Sequence, residues 1–301
     1  MSEKAKHMSA QVWNVGCFAI SQIIEVEIGD VIQEVIPEAT PANIVKIEWL
    51  FPYYADKNGA LRAVVQSFLV QGQGIIMLVD TCVGNSKRRV DIPALNMLRT
   101  NFIDRLRSVG VQPSDVTHVL CTHLHFDHVG WNTTLENGRW VPTFPNASYL
   151  FSKDEYNYWV ENPDAEIADD RNGFTDSVLP IVEAGLALFV DHEYQPAPGI
   201  SLIPTPGHTP DHVSVQIESE GSAAVITGDA MHHPCQVAQP AWGTLSDYDR
   251  DQAQRSRVAL LSRCVDSNAL VLGSHFAPPS GGHLLRAAPG FYFAPVNNTT
   301  L

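Results

Sequence analysis

The fold is decided by one short stretch of the sequence, Thr122-His123-Leu124-His125-Phe126-Asp127-His128. The stretch follows an apolar run at residues 116–121 that predicts a buried β-strand. Because side chains two residues apart share one face of a strand, His123 and His125 are expected to point the same way. The turn after them brings Asp127 and His128 round to a second position. Four possible ligands so close together are too dense for a solvated surface or an apolar core, and they predict a metal site.

The side chains of this stretch also indicate which metals fit. Imidazole nitrogens and carboxylate oxygens suit Zn²⁺, Mn²⁺ or Fe²⁺. The five cysteines are scattered along the chain and form no Cys-x-x-Cys pair, so a zinc knuckle or a redox pair is not expected.

Three later residues also follow predicted strands: His208, Asp229 and His275. Their strands are predicted at residues 200–204, 223–227 and 270–273. Ligands that come from separate strand ends and meet at one sheet edge are how a fold holds a rigid metal site. A single histidine after a strand is usually structural, so the prediction depends on the whole set.

The strand pattern predicts two sheets packed together and flanked by helices. The first two core strands, at 62–70 and 75–80, are joined by the glycine-containing turn Gln71-Gly72-Gln73-Gly74 and predict a hairpin. Further strands are predicted at 148–151 and 213–217.

The sequence predicts helices at residues 93–109, 153–160 and 247–265. Apolar residues at three- and four-residue spacing support the first of these helices. The second begins with a capping box, in which Ser152 and Glu155 satisfy each other's backbone N–H groups. Residues 161–177 predict a solvated loop or an insertion.

The domain organisation follows from the same pattern. Residues 1–60 are mixed in character and are expected to form an N-terminal extension packed on the core. Residues 61–301 are expected to form one catalytic domain with an insertion near 153–195.

The composition excludes several classes of partner. The 301 residues include 19 Lys and Arg against 33 Asp and Glu, which gives a net charge of −14. Such a chain has no excess of cations with which to displace the counterions of a nucleic acid, so no nucleic-acid partner is expected. No apolar run reaches the roughly 18 residues that cross a bilayer, and the start has no signal-peptide pattern. We therefore expect a cytoplasmic protein without a membrane partner.

The combined motifs resemble those of the metallo-β-lactamase superfamily of metallohydrolases. The resemblance covers about residues 62–275 and rests on His-x-His-x-Asp-His, the Pro-Gly-His segment, the Gly-Asp pair and the late histidine. It implies a four-layer αββα sandwich, in which two mixed β-sheets are flanked by helices and the metals lie at the sheet edge.

The resemblance also implies a role for each candidate ligand. The first of two divalent ions would be bound by His123, His125 and His208. The second would be bound by Asp127, His128 and His275, with Asp229 bridging the two ions. Asp80 matches the family's acid that orients a ligand imidazole or the loop beneath it, and His212 is a weaker candidate for supporting the site by hydrogen bonding.

A hydrolytic mechanism follows from this arrangement. Two ions about 3.5–4 Å apart would share a hydroxide that attacks an electrophilic carbonyl or phosphoryl centre. Asp127 is expected to return a proton to the leaving group, and Asp229 to hold the ions. Zinc is the first expectation for the metal, with manganese, iron and cobalt open.

The substrate class is suggested by a departure from one branch of the family. The chain is similar to lactonase-like and methyl-parathion-hydrolase-like members, but small acyl-homoserine lactonases have a Tyr three residues after the bridging Asp. Here that position is His232, as in the parathion-hydrolase-like branch. We expect hydrolysis of a small, largely apolar ester or lactone, with phosphotriester hydrolysis as the alternative. Phe126, Trp131 and Met231 are expected to form an apolar pocket wall.

Other functions of the superfamily remain open at this stage. A glyoxalase-II-type thioesterase shares the ligands, but no compelling basic cluster near the late motifs is available to bind a glutathione carboxylate, although Arg255, Arg257 and Arg263 lie on one predicted helix. A mononuclear iron dioxygenase uses a similar motif with fewer ligands, and a binding module could keep the metal without catalysis. An RNA-processing nuclease is opposed by the net charge. Family members of this size are often homodimers.

Overall fold

Two β-sheets packed face to face carry the apolar core in a computed structural model, which describes residues 11–163, 167–288 and 290–296. The strands before residue 153 are β1 (Val12–Val15), β2 (Phe18–Glu27), β3 (Val64–Gly72), β4 (Ile75–Val79), β5 (His118–Leu120), β6 (Thr133–Glu136), β7 (Arg139–Pro142) and β8 (Ser148–Ser152). The later strands are β9 (Ala187–Val190), β10 (Ile200–Pro204), β11 (Val213–Ser219), β12 (Ser222–Ile226), β13 (Leu270–Leu272), β14 (Gly281–Arg286) and β15 (Phe291–Pro295).

The helices flank these sheets and connect their strands. They are α1 (Gly29–Val35), α2 (Pro41–Ile44), α3 (Phe102–Ser108), α4 (Phe126–Val129), α5 (Lys153–Glu161), α6 (Ala168–Gly173), α7 (Leu179–Glu183), α8 (Cys235–Ala238) and α9 (Arg250–Ser267). None of the helices within the described residues is long and apolar enough to cross a membrane.

The strand order places the ends of several parallel strands at one edge. In the described part of the chain the first sheet has the order β1-β2-β3-β4-β5-β8-β9, the second has the order β10-β11-β12-β13-β14-β15, and β6 and β7 form a separate ribbon. Strands β4, β5, β8 and β9 run parallel, as do β12 and β13. Because parallel strands end at the same edge of a sheet, the segments after β4 and β5 emerge together, and so do those after β12 and β13.

The predicted hairpin of the first sheet is present. Strands β3 and β4 pair antiparallel with Phe68 opposite Val79, and β3 is buried along its first seven residues. One face of the sheet meets the second sheet and the other meets helices, which explains why both faces of this strand are apolar. The cluster between the sheets includes Met77 and Leu120 from the first sheet and Val215 from the second.

The N-terminal segment contributes to the sheet. Strand β2 pairs antiparallel with β3 from Ala19 to Glu27, with a register shift between Ile24 and Val26. The boundary predicted at residue 60 stays a prediction, and residues 1–10 lie outside the described residues.

Two predictions of local structure were wrong. The helix predicted at 93–109 is a 3₁₀ turn at Pro93–Leu95 followed by α3, because Met97 adopts a left-handed φ of 54° that interrupts the helix. The solvated loop predicted at 161–177 contains α6 and the start of a π-helical turn, Phe174–Val178. Its acidic residues misled the prediction, because Asp169, Asp170 and Asp176 turn inward and are buried.

Candidate metal centre

The first predicted group of ligands meets at the carboxyl edge of the sheets. Donor atoms of His123, His125 and His208 all lie within 4.8 Å of one another. His208 Nε2 is 3.0 Å from His125 Nδ1. The structure thus brings a histidine from the loop after β10 against two from the loop after β5.

The second predicted group lies beside the first. Donor atoms of Asp127, His128 and His275 also lie within 4.8 Å of one another. His275 Nε2 is 3.2 Å from His128 Nε2 and 3.6 Å from Asp127 Oδ2. The short helix α4 presents Asp127 and His128 together, and the loop after β13 supplies His275.

Asp229 lies between the two groups. Its Oδ2 atom is 3.4 Å from His208 Nε2 and 3.2 Å from His128 Nε2, while its Oδ1 atom is 3.1 Å from His275 Nε2. One carboxylate therefore faces ligands of both groups, which is the position that a bridging ligand requires.

The donor atoms fit a pair of divalent cations. Within the described residues, His123 Nε2 is buried without a hydrogen-bond partner. Burial, reinforced by the neighbouring imidazoles, holds the pKa of His123 well below its usual value and lowers the pKa of His208 to about 4. Both rings are therefore neutral at pH 7 and offer lone pairs. Neutral imidazoles and carboxylates that converge without Lys or Arg match the ligand set of zinc and similar metals.

The second group has a different electrostatic environment. Burial opposes the charged form of His128, but the carboxylates of Asp229, Asp80 and Asp127 outweigh it and raise the pKa well above the usual value. The pKa of His275 is raised in the same way, with Asp229 as the main source. Cations bound here would replace protons on these rings, so binding is expected to release protons.

Three ligand imidazoles are oriented through their Nδ1 atoms. His128 Nδ1 lies 2.9 Å from Asp80 Oδ2, and His275 Nδ1 lies 3.0 Å from the carbonyl oxygen of Val64. His208 Nδ1 lies 3.0 Å from Asp247 Oδ1. An Nδ1–H that donates outward leaves Nε2 free to face the centre, which fixes the tautomer that a metal ligand needs.

Asp247 was missed by the sequence analysis. It lies in the segment before α9, 39 residues after His208, and no local motif marks it. Its carboxylate also accepts hydrogen bonds from the backbone and side chain of Thr244. Burial opposes ionisation, but the hydrogen bond from His208 and the nearby imidazoles hold the pKa of Asp247 below its usual range.

His212 supports the backbone of Asp229. Its Nε2 accepts a hydrogen bond of 2.8 Å from the Asp229 N–H, and its Nδ1 lies 2.8 Å from Thr205 Oγ1. The preceding Gly228 has a φ of +52°, and a Cβ there would lie 2.5 Å from His212 Nε2. Only glycine allows this close approach.

His232 lies inside the ligand cluster. Its Nε2 is 3.1 Å from Asp229 Oδ2, and its ring centroid is 4.7 Å from that of His208. His208, Asp229 and His232 form a further group with all donor atoms within 4.8 Å. The neighbouring His233 points elsewhere, because its Nε2 donates to the carbonyl of Tyr54 at 2.9 Å.

The three residues predicted as pocket walls pack into the core. Trp131 stacks on Phe102 with ring centroids 5.5 Å apart, and its indole N–H donates to Glu25. Phe126 and Met231 are also buried. None of the three lines the cavity of about 640 Å³ that lies between the N-terminal segment and the loop after His275.

A sequence profile of the metallo-beta-lactamase superfamily matches residues 62–275, which contain every residue predicted as a metal ligand. This chain belongs to that superfamily. The N-acyl homoserine lactonase AiiA of Bacillus thuringiensis subsp. kurstaki is 31% identical over 133 residues, which cover 44% of this chain and 45% of the relative. The lactonase AiiB of Agrobacterium fabrum is 24% identical over 250 residues, covering 76% and 84%. The chain spans about half the length of the curated lactonases that it matches at the higher identity.

Solved structures of the superfamily share the fold. AidC, a dizinc quorum-quenching lactonase in complex with the product N-hexanoyl-L-homoserine, has a TM-score of 0.77 at 22% identity, covering 97% of this chain and 98% of AidC. The hydrolase AbOPH has a TM-score of 0.77 at 20% identity, covering 98% and 99%. The predicted superfamily and its αββα fold are confirmed.

Proposed function

We propose that this protein is a hydrolase that holds two divalent ions, with zinc as the first choice, and cleaves a small, largely apolar ester or lactone. The observation that supports this most directly is the position of Asp229, whose two oxygens face histidines of both ligand groups at 3.1–3.4 Å. The lactonases among its relatives support the choice of bond.

The ions would supply a water of lowered pKa and polarise the carbonyl of the substrate. His123, His125 and His208 would hold the first ion, and Asp127, His128 and His275 the second, with Asp229 shared. Asp127 is the most open of these side chains. Its side chain is 17% exposed, whereas those of His123, His128, His208, Asp229 and His275 are 0–4% exposed. This exposure supports the role that we propose for Asp127, which takes a proton from the attacking water and passes it to the leaving oxygen.

His232 would act next to the shared carboxylate. Its Nε2 faces Asp229, while its Nδ1 is buried without a hydrogen-bond partner among the described residues. We propose that this imidazole holds the substrate carbonyl beside the first ion, at the position where the small lactonases have Tyr.

The cavity of about 640 Å³ does not identify the substrate. It reaches only the outward side of the second ligand group, at Val64, whose carbonyl accepts the hydrogen bond from His275 Nδ1. Its lining is mixed, since the charged side chains of Glu27, Asp30 and Arg62 stand beside apolar ones. The proposed ester or lactone therefore rests on the lactonases among the relatives.

A thioesterase of the glutathione type is less well supported. Arg257 is fully buried, and its guanidinium donates to the backbone carbonyls of Ala230, Pro240 and Trp242. It is therefore not available to bind an anionic substrate on the helix surface. No contact of the described residues favours phosphotriester hydrolysis over ester hydrolysis.

The test is a metal count on protein purified without chelator, followed by a substrate panel. We expect close to two ions per chain and turnover of N-hexanoyl-homoserine lactone or p-nitrophenyl butyrate above that of a p-nitrophenyl phosphotriester or a glutathione thioester. Metal-free protein is the control. A single iron with oxygen uptake, or two ions with hydrolysis of the phosphotriester or thioester alone, would contradict the proposal.

A further inference from the structure

Glu155 does not complete the capping box that the sequence predicts. Ser152 Oγ accepts a hydrogen bond from the Glu155 N–H, as expected at the start of α5. The Glu155 carboxylate, fully buried, instead accepts hydrogen bonds from two other loops. Its Oε1 accepts from the N–H of Leu124 at 3.4 Å, and its Oε2 accepts from the N–H of Asp211 at 3.1 Å.

Both of these loops carry ligands of the first group. Leu124 lies between His123 and His125, in the loop after β5 of the first sheet. Asp211 lies three residues after His208, in the loop after β10 of the second sheet. One carboxylate therefore joins the two loops whose histidines meet at 3.0 Å.

The same carboxylate also fixes a side chain against a ligand. Glu155 Oε1 accepts a hydrogen bond of 3.1 Å from the indole N–H of Trp159. The Trp159 ring packs edge-on to that of His125, with centroids 6.0 Å apart and planes at 85°. The second ligand group has its own support, since Asp80 holds His128 and the Val64 carbonyl holds His275.

We infer that Glu155 is a positioning residue for the first metal ion and sets the distance between the His123–His125 loop and His208. This inference rests on the proposed two-ion function. A carboxylate has two acceptor oxygens, one for each of the two backbone N–H groups. The amide of a glutamine has one acceptor oxygen and one NH₂ donor, so it can accept from only one of them. Its removal is expected to loosen the first ligand group and leave the second intact.

The experiment compares Glu155→Gln with Asp154→Asn. Asp154 is the exposed acid beside Glu155 in the first turn of α5, so both variants lose one negative charge at the same helix end. In Glu155→Gln the amide nitrogen must face a backbone donor. We expect the affinity of one ion to fall about 10–100-fold, in the range for residues that orient metal ligands. Asp154→Asn should bind both ions as the wild type does.

Metal binding is measured without substrate, by native mass spectrometry and chelator competition on metal-free protein titrated with Zn²⁺. The weakened ion is identified in double variants. Adding His275→Ala to Glu155→Gln should remove the ion that remains, whereas adding His208→Ala should remove no further ion. Wild-type affinity for both ions in Glu155→Gln, or loss of the second ion instead of the first, would overturn the inference.

Two further measurements separate this role from general folding. Thermal unfolding of the metal-free proteins shows whether Glu155→Gln folds. If it does not, Trp159→Phe keeps the ring against His125 and removes one donor to Glu155, and it should weaken the first ion by a smaller factor. Unchanged binding in that variant would then contradict the inference. Fewer than two ions in the wild type would contradict the proposed function, whereas the difference between wild type and Glu155→Gln tests the role of Glu155.

Discussion

Two buried polar clusters differ in what their side-chain nitrogen atoms face. In the ligand cluster, nitrogen faces nitrogen: His208 Nε2 lies 3.0 Å from His125 Nδ1, and His275 Nε2 lies 3.2 Å from His128 Nε2. A second cluster, which we call the Lys87 cluster, consists of Lys87, Arg89 and Asp176. There, both cations contact the same carboxylate, at 3.2 Å and 2.8 Å.

The difference bears on the role that we propose for each cluster. The Lys87 cluster takes its contacts from within the chain, since Lys87 also donates to Thr133 Oγ1 and lies 3.7 Å from the Trp140 ring centroid. Its ion pairs connect the loop after β4, which carries Lys87 and Arg89, to the π-helical turn that carries Asp176. This is a structural role. The seven predicted ligands include no Lys or Arg, and their carboxylates face imidazoles instead, raising the pKa of His128 and His275. We propose that divalent cations take the place of the protons on these rings.

The largest expected effect comes from removing Asp229, the proposed shared ligand of the ligand cluster. Asp229→Ala is expected to abolish both ion loading and turnover, because its carboxylate faces both ligand groups. Metal analysis and the lactone assay measure the two losses. His123→Ala should give the same result from the opposite side of the site. Full activity in metal-free Asp229→Ala protein would show that the two clusters do not differ as described.

Much of the candidate site could be predicted because its proposed ligands are close in sequence or follow strands. His123, His125, Asp127 and His128 are close in sequence, and the strand-to-loop turn alone brings them together. The parallel β12 and β13 end at one edge, which explains how Asp229 and His275 join them. The sheets themselves could be predicted from apolar runs that are buried on both faces.

The supporting residues could not be predicted in this way. Asp247 reaches His208 across 39 residues, Glu155 reaches Asp211 across 56, and Lys87 reaches Asp176 across 89. No spacing rule connects such pairs, because tertiary packing alone determines them. The buried acids of residues 161–177 are an example, because the sequence does not distinguish them from solvated acids. Only the structure shows that they are buried and have partners.

The next largest effect should come from breaking the Lys87 cluster. Asp176→Asn leaves two buried cations without their carboxylate and is expected to lower the free energy of unfolding by about 3–5 kcal/mol. The number of bound ions should not change, since Asp176 contacts none of the ligands in the described contacts. Denaturant unfolding and metal analysis measure the two quantities. Asp104→Asn removes the exposed partner of Arg107 and should have little effect. Loss of metal in Asp176→Asn would contradict a purely structural role.

The smallest effect concerns the pH dependence of the Lys87 cluster. Burial lowers the pKa of Lys87 to about 8, although Asp176 opposes the shift. Below that pH the fold carries a buried cation, and above the lysine's ordinary value of 10.5 the side chain is neutral in both states. Between these values the unfolded chain binds the proton more tightly, so the contribution of Lys87 to the free energy of unfolding rises with pH.

Between pH 7 and 10, the difference in the free energy of unfolding between wild type and Lys87→Met is expected to rise by about 2 kcal/mol. Taking the difference removes the contributions of other groups that titrate in this range. Lys57→Met, at an exposed lysine, is the control and should follow the wild type. Parallel stability curves for wild type and Lys87→Met would mean that Lys87 keeps its proton in the fold. Asp176 would then face two charged side chains, Lys87 and Arg89, at every pH in this range.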